Sequence, residues 1–364
     1  MKMLLEIIKW VVLISGGLLL YVFISLQVYR TYVKYSTKID TPDGISSLEE
    51  IKLGGEKQWI FIRGTNQNNP VLVFLHGGPG MPVFGMASSR ELDVELIEHF
   101  TVVHWDQRGT GKSYNDDLTM DSITIDRLAE DCNELIDYLR YRFNTQKVFL
   151  VGHSWGSVIG IKTVSKYPEK IHAFVGVGQI IDDYERQMTT YNFIVEESEK
   201  SEDVIAQNAI AAIGPPPFHT PEELKEKDSY IAQYGGVMHG VNPAQMGIIM
   251  FNFLTSPEYS LSEGFQTVRM KGMDFTTRAL WDEMQKFDLT KEIESIQVPI
   301  YFFEGKHDMA NPTILIEDFI DKLDESKDVN LIIFEKSGHF PMIEEKEKYQ
   351  DQLINVVLKE SQNE

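Results

Sequence analysis

The heptapeptide Val151-Gly152-His153-Ser154-Trp155-Gly156-Ser157 sets a serine at the centre of a G-x-S-x-G pattern, directly after the apolar run Val148-Phe149-Leu150-Val151. A strand that ends here and turns at once into a helix holds Ser154 on a tight elbow, its hydroxyl exposed for attack. Gly152 and Gly156 must be small because strand and helix crowd the elbow. The backbone N–H of Trp155, at a helix N-terminus, is then placed to bind an oxyanion. A serine nucleophile needs a base to take its proton and an acid to fix the tautomer of that base. Both follow downstream, each just past a predicted strand: Pro299–Phe303 leads to Asp308, and Val329–Phe334 leads to His339. Ser154, Asp308, His339 is the chain order that a strand–elbow–helix nucleophile requires.

A second constellation lies upstream. The apolar strand Val71–Leu75 runs into His76-Gly77-Gly78-Pro79-Gly80, and glycines let a backbone approach a reacting carbonyl with its N–H groups turned inward. The loop after the third strand is where a second oxyanion donor belongs, and the Gly78 N–H is the candidate beside that of Trp155. The segment Asp106-Gln107-Arg108-Gly109-Thr110-Gly111-Lys112-Ser113 ends like a phosphate-binding loop, but that motif requires a glycine where Asp106 stands. Nucleotide binding is excluded, and Asp106 and Arg108 read as scaffold.

Together, His76–Gly80, Asp106-Gln107-Arg108-Gly109, Gly152–Ser157 and Ser337-Gly338-His339 resemble the proline iminopeptidase family of α/β-hydrolase-fold serine peptidases. The resemblance runs from about Ile51 to Leu358, less the middle. It implies a Ser154–Asp308–His339 triad, an oxyanion hole from the backbones of Gly78 and Trp155, and removal of an N-terminal residue. One departure stands out: the family's Glu-Asn-His-Tyr-like lid segment, which binds the substrate amine, has no counterpart. Met238–Asn242 and Ser256–Tyr259 are poor substitutes. A carboxylesterase or lactonase on the same triad is the alternative, and a non-catalytic ligand-binding protein on the fold is a more distant one.

The elements that must position these residues follow from the pattern. Leu48–Gly64 reads as a hairpin of two strands, and core strands follow at Val71, Thr101, Val148 and His172. After Gly176-Val177-Gly178 comes an excursion of about a hundred residues, too long for a simple connection. It is predicted to be a helical lid (residues 179–289) inserted into an α/β core (residues 39–178 and 290–364). Helical stretches fit Asp182–Ser201, Val204–Ile213, Pro221–Tyr234 and Asn242–Leu254. The lid is rich in methionine and aromatic residues, material for an apolar pocket roof or for packing lid helices together. Glu185, Glu196 and Glu197 are candidate amine anchors, since positions 185 and 196 share a helix face. No histidine cluster has metal-ligand spacing, and no cofactor is expected.

Residues 1–38 form an expected membrane anchor with a juxtamembrane segment, continuing into a polar linker from Tyr29 to about Ser47. Trp10–Val28 contains no charged residue, and 19 helical residues span about 28 Å, enough for a bilayer core. The flanking charges are nearly balanced and favour neither orientation. The single cysteine, Cys132, excludes an internal disulfide. Residues 1–38 hold five Lys/Arg and one Glu, which leaves 29 basic against 54 acidic residues beyond them, a net of −25. That surface repels phosphate backbones, so nucleic acid is not a partner; a small peptide or ester and, through the anchor, the lipid bilayer are.

Overall fold

The computed structural model describes residues 1–88, 92, 95–323 and 328–362. It opens with a single long helix, α1 (Lys2–Ser36), whose apolar stretch is exposed along its length. The helix runs about two turns past the apolar segment, so residues 29–36, expected as the start of a polar linker, are helical. The physical reason is packing: Tyr29 lies against Phe251 and the Arg30 guanidinium caps the carbonyls of Leu254 and Tyr259.

Alternating polar and apolar residues then build the antiparallel hairpin β1 (Ile45–Leu53) and β2 (Glu56–Gly64), turned by Gly54 and Gly55 at positive φ. The nearly continuous apolar runs become buried parallel strands, as expected where helices cover both faces. These are β3 (Val71–Leu75), β4 (Thr101–Asp106), β5 (Val148–His153), β6 (Ile171–Val177), β7 (Ile300–Gly305) and, half-buried at the sheet edge, β8 (Val329–Phe334). The sheet order is β1-β2-β4-β3-β5-β6-β7-β8, parallel from β4 onward.

Helices α2 (Phe84–Ser88) and α3 (Leu96–His99) follow β3, α4 (Ile125–Phe143) precedes β5, and α5 (Trp155–Lys166) leaves it. Strand periodicity divides the core: Val71, Val73 and Leu75 pack with α4 and α5 on one face, while Leu72 and Phe74 pack with α2 and α3 on the other.

Between β6 and β7 lie six lid helices: α6 (Asp183–Lys200), α7 (Val204–Ile213), α8 (Pro221–Gln233), α9 (Pro243–Thr255), α10 (Leu261–Val268) and α11 (Lys271–Met284). Five start at a side-chain cap: Asp182, Asp203, Thr220, Asn242 and Ser260 each accept a first-turn N–H. The stem of the insertion is closed by backbone bonds, Asp183 N–H to Phe287 O at 3.0 Å and Leu289 N–H to Ile181 O at 2.8 Å. Helix α12 (Ile314–Ile320) joins β7 to β8, and α13 (Pro341–Glu344) and α14 (Lys346–Asn355) follow.

The β5–α5 elbow tolerates no extra atoms. A Cβ on Gly152 meets the Gly156 carbonyl at 2.5 Å, and one on Gly156 overlaps the backbone of Leu75 in β3. Gly156→Ala is therefore expected to destabilise the fold by about 1–3 kcal/mol through overpacking. Gly247→Ala, at an open position inside α9, is expected to be neutral or mildly stabilising. Thermal unfolding followed by circular dichroism compares the two.

Candidate active site

Ser154 sits between β5 and α5 with φ 53° and ψ −119°, a conformation an L-residue adopts only under constraint. Its N–H donates to Val177 O at 2.8 Å, and its carbonyl accepts the Ser157 N–H at 2.8 Å, which pins the elbow from both sides. Trp155 is the first residue of α5, so its N–H has no acceptor within the helix. The glycine loop comes up against this elbow: a Cβ on Gly77 would stand 3.1 Å from the Ser154 Cβ, and Gly78 takes φ +127°.

Asp308 and His339 follow the adjacent strands β7 and β8. The His339 Nδ1–H donates to Asp308 Oδ2 at 2.7 Å, which leaves Nε2 as the basic nitrogen. The other carboxylate oxygen, Oδ1, accepts the N–H groups of Ala310 and Asn311, both at 2.8 Å. Gly178, the residue after β6, lies under this pair. A Cβ there would stand 3.0 Å from the imidazole and 3.2 Å from Asp308 Oδ2. Ser154 bonds to Val177 next to Gly178, so the three residues all lie at the carboxyl ends of neighbouring parallel strands, where open α/β sheets place their sites.

Several contributors to this geometry carry no sequence signature. The lid segment Gly236-Val237 accepts the Met309 N–H and the His339 N–H, each at 2.7 Å, and so ties the acid loop to the base loop. A side chain on Gly236 would meet the Met309 Cβ at 2.6 Å. Arg186 of α6 pairs with Asp183 and donates to Ala310 O at 3.3 Å, fixing the lid to the Asp308 loop. His153 Nε2–H donates to the His339 carbonyl at 2.8 Å. His76 accepts the Gln107 N–H at Nε2 and donates from Nδ1 to Gly77 O, which anchors the glycine loop.

Burial sets the charge states. It lowers His76 to about 4 and His153 to about 3, so both stay neutral at physiological pH. It raises Asp106 to about 7 despite the Lys112 N–H and the Tyr259 hydroxyl that bond to it. Glu304, buried at the end of β7, is pushed well above the usual carboxylate range, first by desolvation and further by Asp308.

Arg108 makes a buried bidentate pair with Asp131 at 2.8 and 3.0 Å, and Asp106 anchors Tyr259 of the lid, so both are scaffold. Of the candidate amine anchors, Glu185 is exposed, and Glu196 and Glu197 share Lys200 at 3.8 and 2.7 Å. The shared helix face is the solvent face of α6, because its buried stripe is Asp183, Gln187, Thr190, Ile194 and Ser198.

Two depressions flank Met81-Pro82. One, with about 330 Å³ of empty space, is lined by His76, Gly77, His153, Phe340 and apolar residues. The other, of about 460 Å³, lies where the glycine loop meets the lid and includes Met250, Glu263 and Met270. Among the described residues no group of three His, Cys, Asp or Glu side chains converges as a metal site.

Comparison with known proteins agrees with this architecture. Residues 70–195 match the α/β hydrolase fold family. A protein named Probable aminopeptidase YbaC, from Bacillus subtilis (strain 168), is 33% identical over 83% of this chain and 93% of its own. The chain belongs to the proline iminopeptidase-like α/β hydrolases. It is an enzyme of the serine hydrolase class. A Proline iminopeptidase from Saccharolobus solfataricus is 26% identical over 79% of this chain and 84% of its own. The solved proline iminopeptidase of Mycobacterium smegmatis shares the fold with a TM-score of 0.61 at 15% identity, covering 86% of this chain and 98% of that one. A membrane phospholipase A structure has a TM-score of 0.60 at 17% identity, covering 98% of this chain and 99% of that one.

Two predictions follow from the buried groups. Below pH 6.5 the unfolded chain protonates histidines that stay neutral in the fold. Stability is therefore lost as pH falls from about 6.5 through 4 for His76 and on to about 3 for His153. The loss is about 3 kcal/mol for His76 and about 5 kcal/mol for His153, to order of magnitude. His153→Gln keeps a side-chain N–H donor and should flatten that dependence, read from urea midpoints between pH 7 and 4. Gly236→Ala should lower kcat with little change in KM, because it displaces the Asp308 and His339 loops; steady-state kinetics separates the two effects.

Proposed function

We propose that this chain is a membrane-anchored aminopeptidase in which Ser154 is the nucleophile, His339 the base and Asp308 the residue that orients it. The observation that carries the reading is the 2.7 Å His339–Asp308 bond, which fixes the imidazole tautomer beside the constrained elbow that presents Ser154. Ser154 Oγ attacks the carbonyl of an amide and gives its proton to His339 Nε2. The N–H groups of Gly78 and Trp155 receive the developing oxyanion, and the imidazolium then protonates the leaving amine. Water repeats the sequence on the acyl-enzyme and regenerates Ser154. The names of the relatives support an N-terminal amide as substrate. The α1 helix supports the anchor: it has 35 residues, an 18-residue stretch of it has a mean hydropathy of 2.3, and that stretch is unburied by the fold.

One observation favours an ester substrate instead. The carboxylates around the site already have partners. Glu263 pairs with Lys112 at 3.2 Å, and Glu344 accepts the N–H groups of Gly338, Phe340 and His239. Neither is positioned as an unpaired anchor for a substrate ammonium.

Prolyl, alanyl and leucyl arylamides are the discriminating substrates, measured alongside short-chain aryl esters with Ser154→Ala as the blank. The reading predicts arylamide turnover that disappears when the substrate amine is acetylated. Asp308→Asn should reduce kcat on the order of 10⁴-fold through the wrong tautomer. Ester turnover without amide turnover would replace the aminopeptidase with an esterase on the same triad.

A further inference from the structure

The lid helix α9 carries a surface that the hydrolase reading does not use. Its thirteen residues, Pro243–Thr255, contain no charge, in a domain whose residues beyond the anchor carry a net −25. Ala244, Gly247, Ile248 and Phe251 recur at the i, i+3, i+4, i+7 spacing of one helix face, and all four are exposed. Ile248 is 56% and Phe251 40% accessible, and Phe265 of the neighbouring α10 is 52% accessible, so the apolar surface continues across two lid helices. The opposite side of α9 packs inward: Phe253 is buried, and a Cβ on Gly85 of α2 would stand 3.0 Å from the Phe253 Cα.

The position of this face relative to α1 decides what covers it. The uncharged run of α1 ends at Tyr29, and Arg30 is the first charge after it. These two residues are those that hold α9. The rings of Tyr29 and Phe251 lie 5.3 Å apart, and Arg30 donates to the carbonyls of Leu254, at 3.4 Å, and Tyr259. The last turn of α9 is therefore fixed at the level where α1 leaves the hydrocarbon. Tyrosine and arginine are the residues that favour that level. Ile248 is one turn from Phe251, and the whole of α9 is only about 20 Å long.

We propose that α9 is a second membrane contact, its uncharged outer face lying in the interfacial layer of the bilayer that α1 crosses. Lid and anchor then bind one lipid surface together. The inference rests on the reading of α1 as a membrane-spanning helix. An amphipathic helix with bulky apolar residues on one face binds such an interface through the apolar area it buries. The inner side of α9 contributes Met250 and Phe253 to the depression beside Gly80 and Met81, so this contact sets the site close to the lipid surface.

The test uses the full chain reconstituted in phosphatidylcholine vesicles. An Ile248→Cys variant carries an environment-sensitive nitrobenzoxadiazole label, while Cys132 is fully buried and stays unlabelled. Glu196→Cys, on the solvent face of α6, is the aqueous reference. Vesicle flotation is measured on the same samples. The proposal expects a blue-shifted emission at position 248 that loses most of its intensity when nitroxide-labelled phosphatidylcholine is included, and no loss at position 196. A label at 248 that behaves like the one at 196 in floated samples overturns the α9 contact while leaving the anchor intact. A blue shift without quenching overturns it in favour of a second copy of the chain on this face. Failure to float overturns the anchor and the proposal together.

Discussion

The close approach of the β5–α5 elbow to β3 is the constraint on which the rest depends. Gly156 lies against the backbone of Leu75, and Gly152 against Gly156, so strand, turn and helix interlock without room for a methyl group. That contact forces Ser154 into a left-handed φ and brings the loop after β3 to within van der Waals distance of the nucleophile. The proposed oxyanion donors are backbone atoms of these same two segments. The elbow packing thus holds the nucleophile and its anion site in one rigid unit before any substrate arrives, which is what electrostatic preorganisation requires.

The acid and base are held differently. Asp308 and His339 stand on separate loops after neighbouring parallel strands, and what joins those loops is the lid. Gly236 and Val237 accept N–H groups from both, and Arg186 reaches the Ala310 carbonyl. The insertion is therefore part of the scaffold that holds the Asp308 and His339 loops together. Its other end is anchored through Tyr259, which bonds to the buried Asp106 and stacks on Phe84. Arg30 binds the Tyr259 carbonyl, so α1 is coupled to the same lid by a short chain of contacts.

Much of this was legible in the sequence because it depends on residue type. The elbow needs glycines and a serine, and acid and base occur in a fixed order after apolar strands. The lid helices announce themselves by capping residues such as Asn242-Pro243 and Ser260 with Glu263. The bonds from Gly236-Val237 were invisible because carbonyl acceptors carry no side-chain signal. Glu304 stood in plain view after an apolar run, yet only the strand register shows that it is buried beside Asp308. Glu185 and Glu196 were correctly placed on a common helix face, but periodicity does not say which face meets solvent. The end of α1 was hidden for a similar reason: residues 29–36 look polar, and tertiary contacts with α9 sit on that stretch of helix.

The central claim is that Ser154 is activated by the His339–Asp308 pair. Its most direct test is the site and rate of covalent capture by a serine-reactive fluorophosphonate, mapped by mass spectrometry on the full chain and on His339→Ala. The account predicts a single adduct on Ser154 that forms far more slowly in the variant. An adduct on another residue, or equal rates in the two proteins, would contradict it.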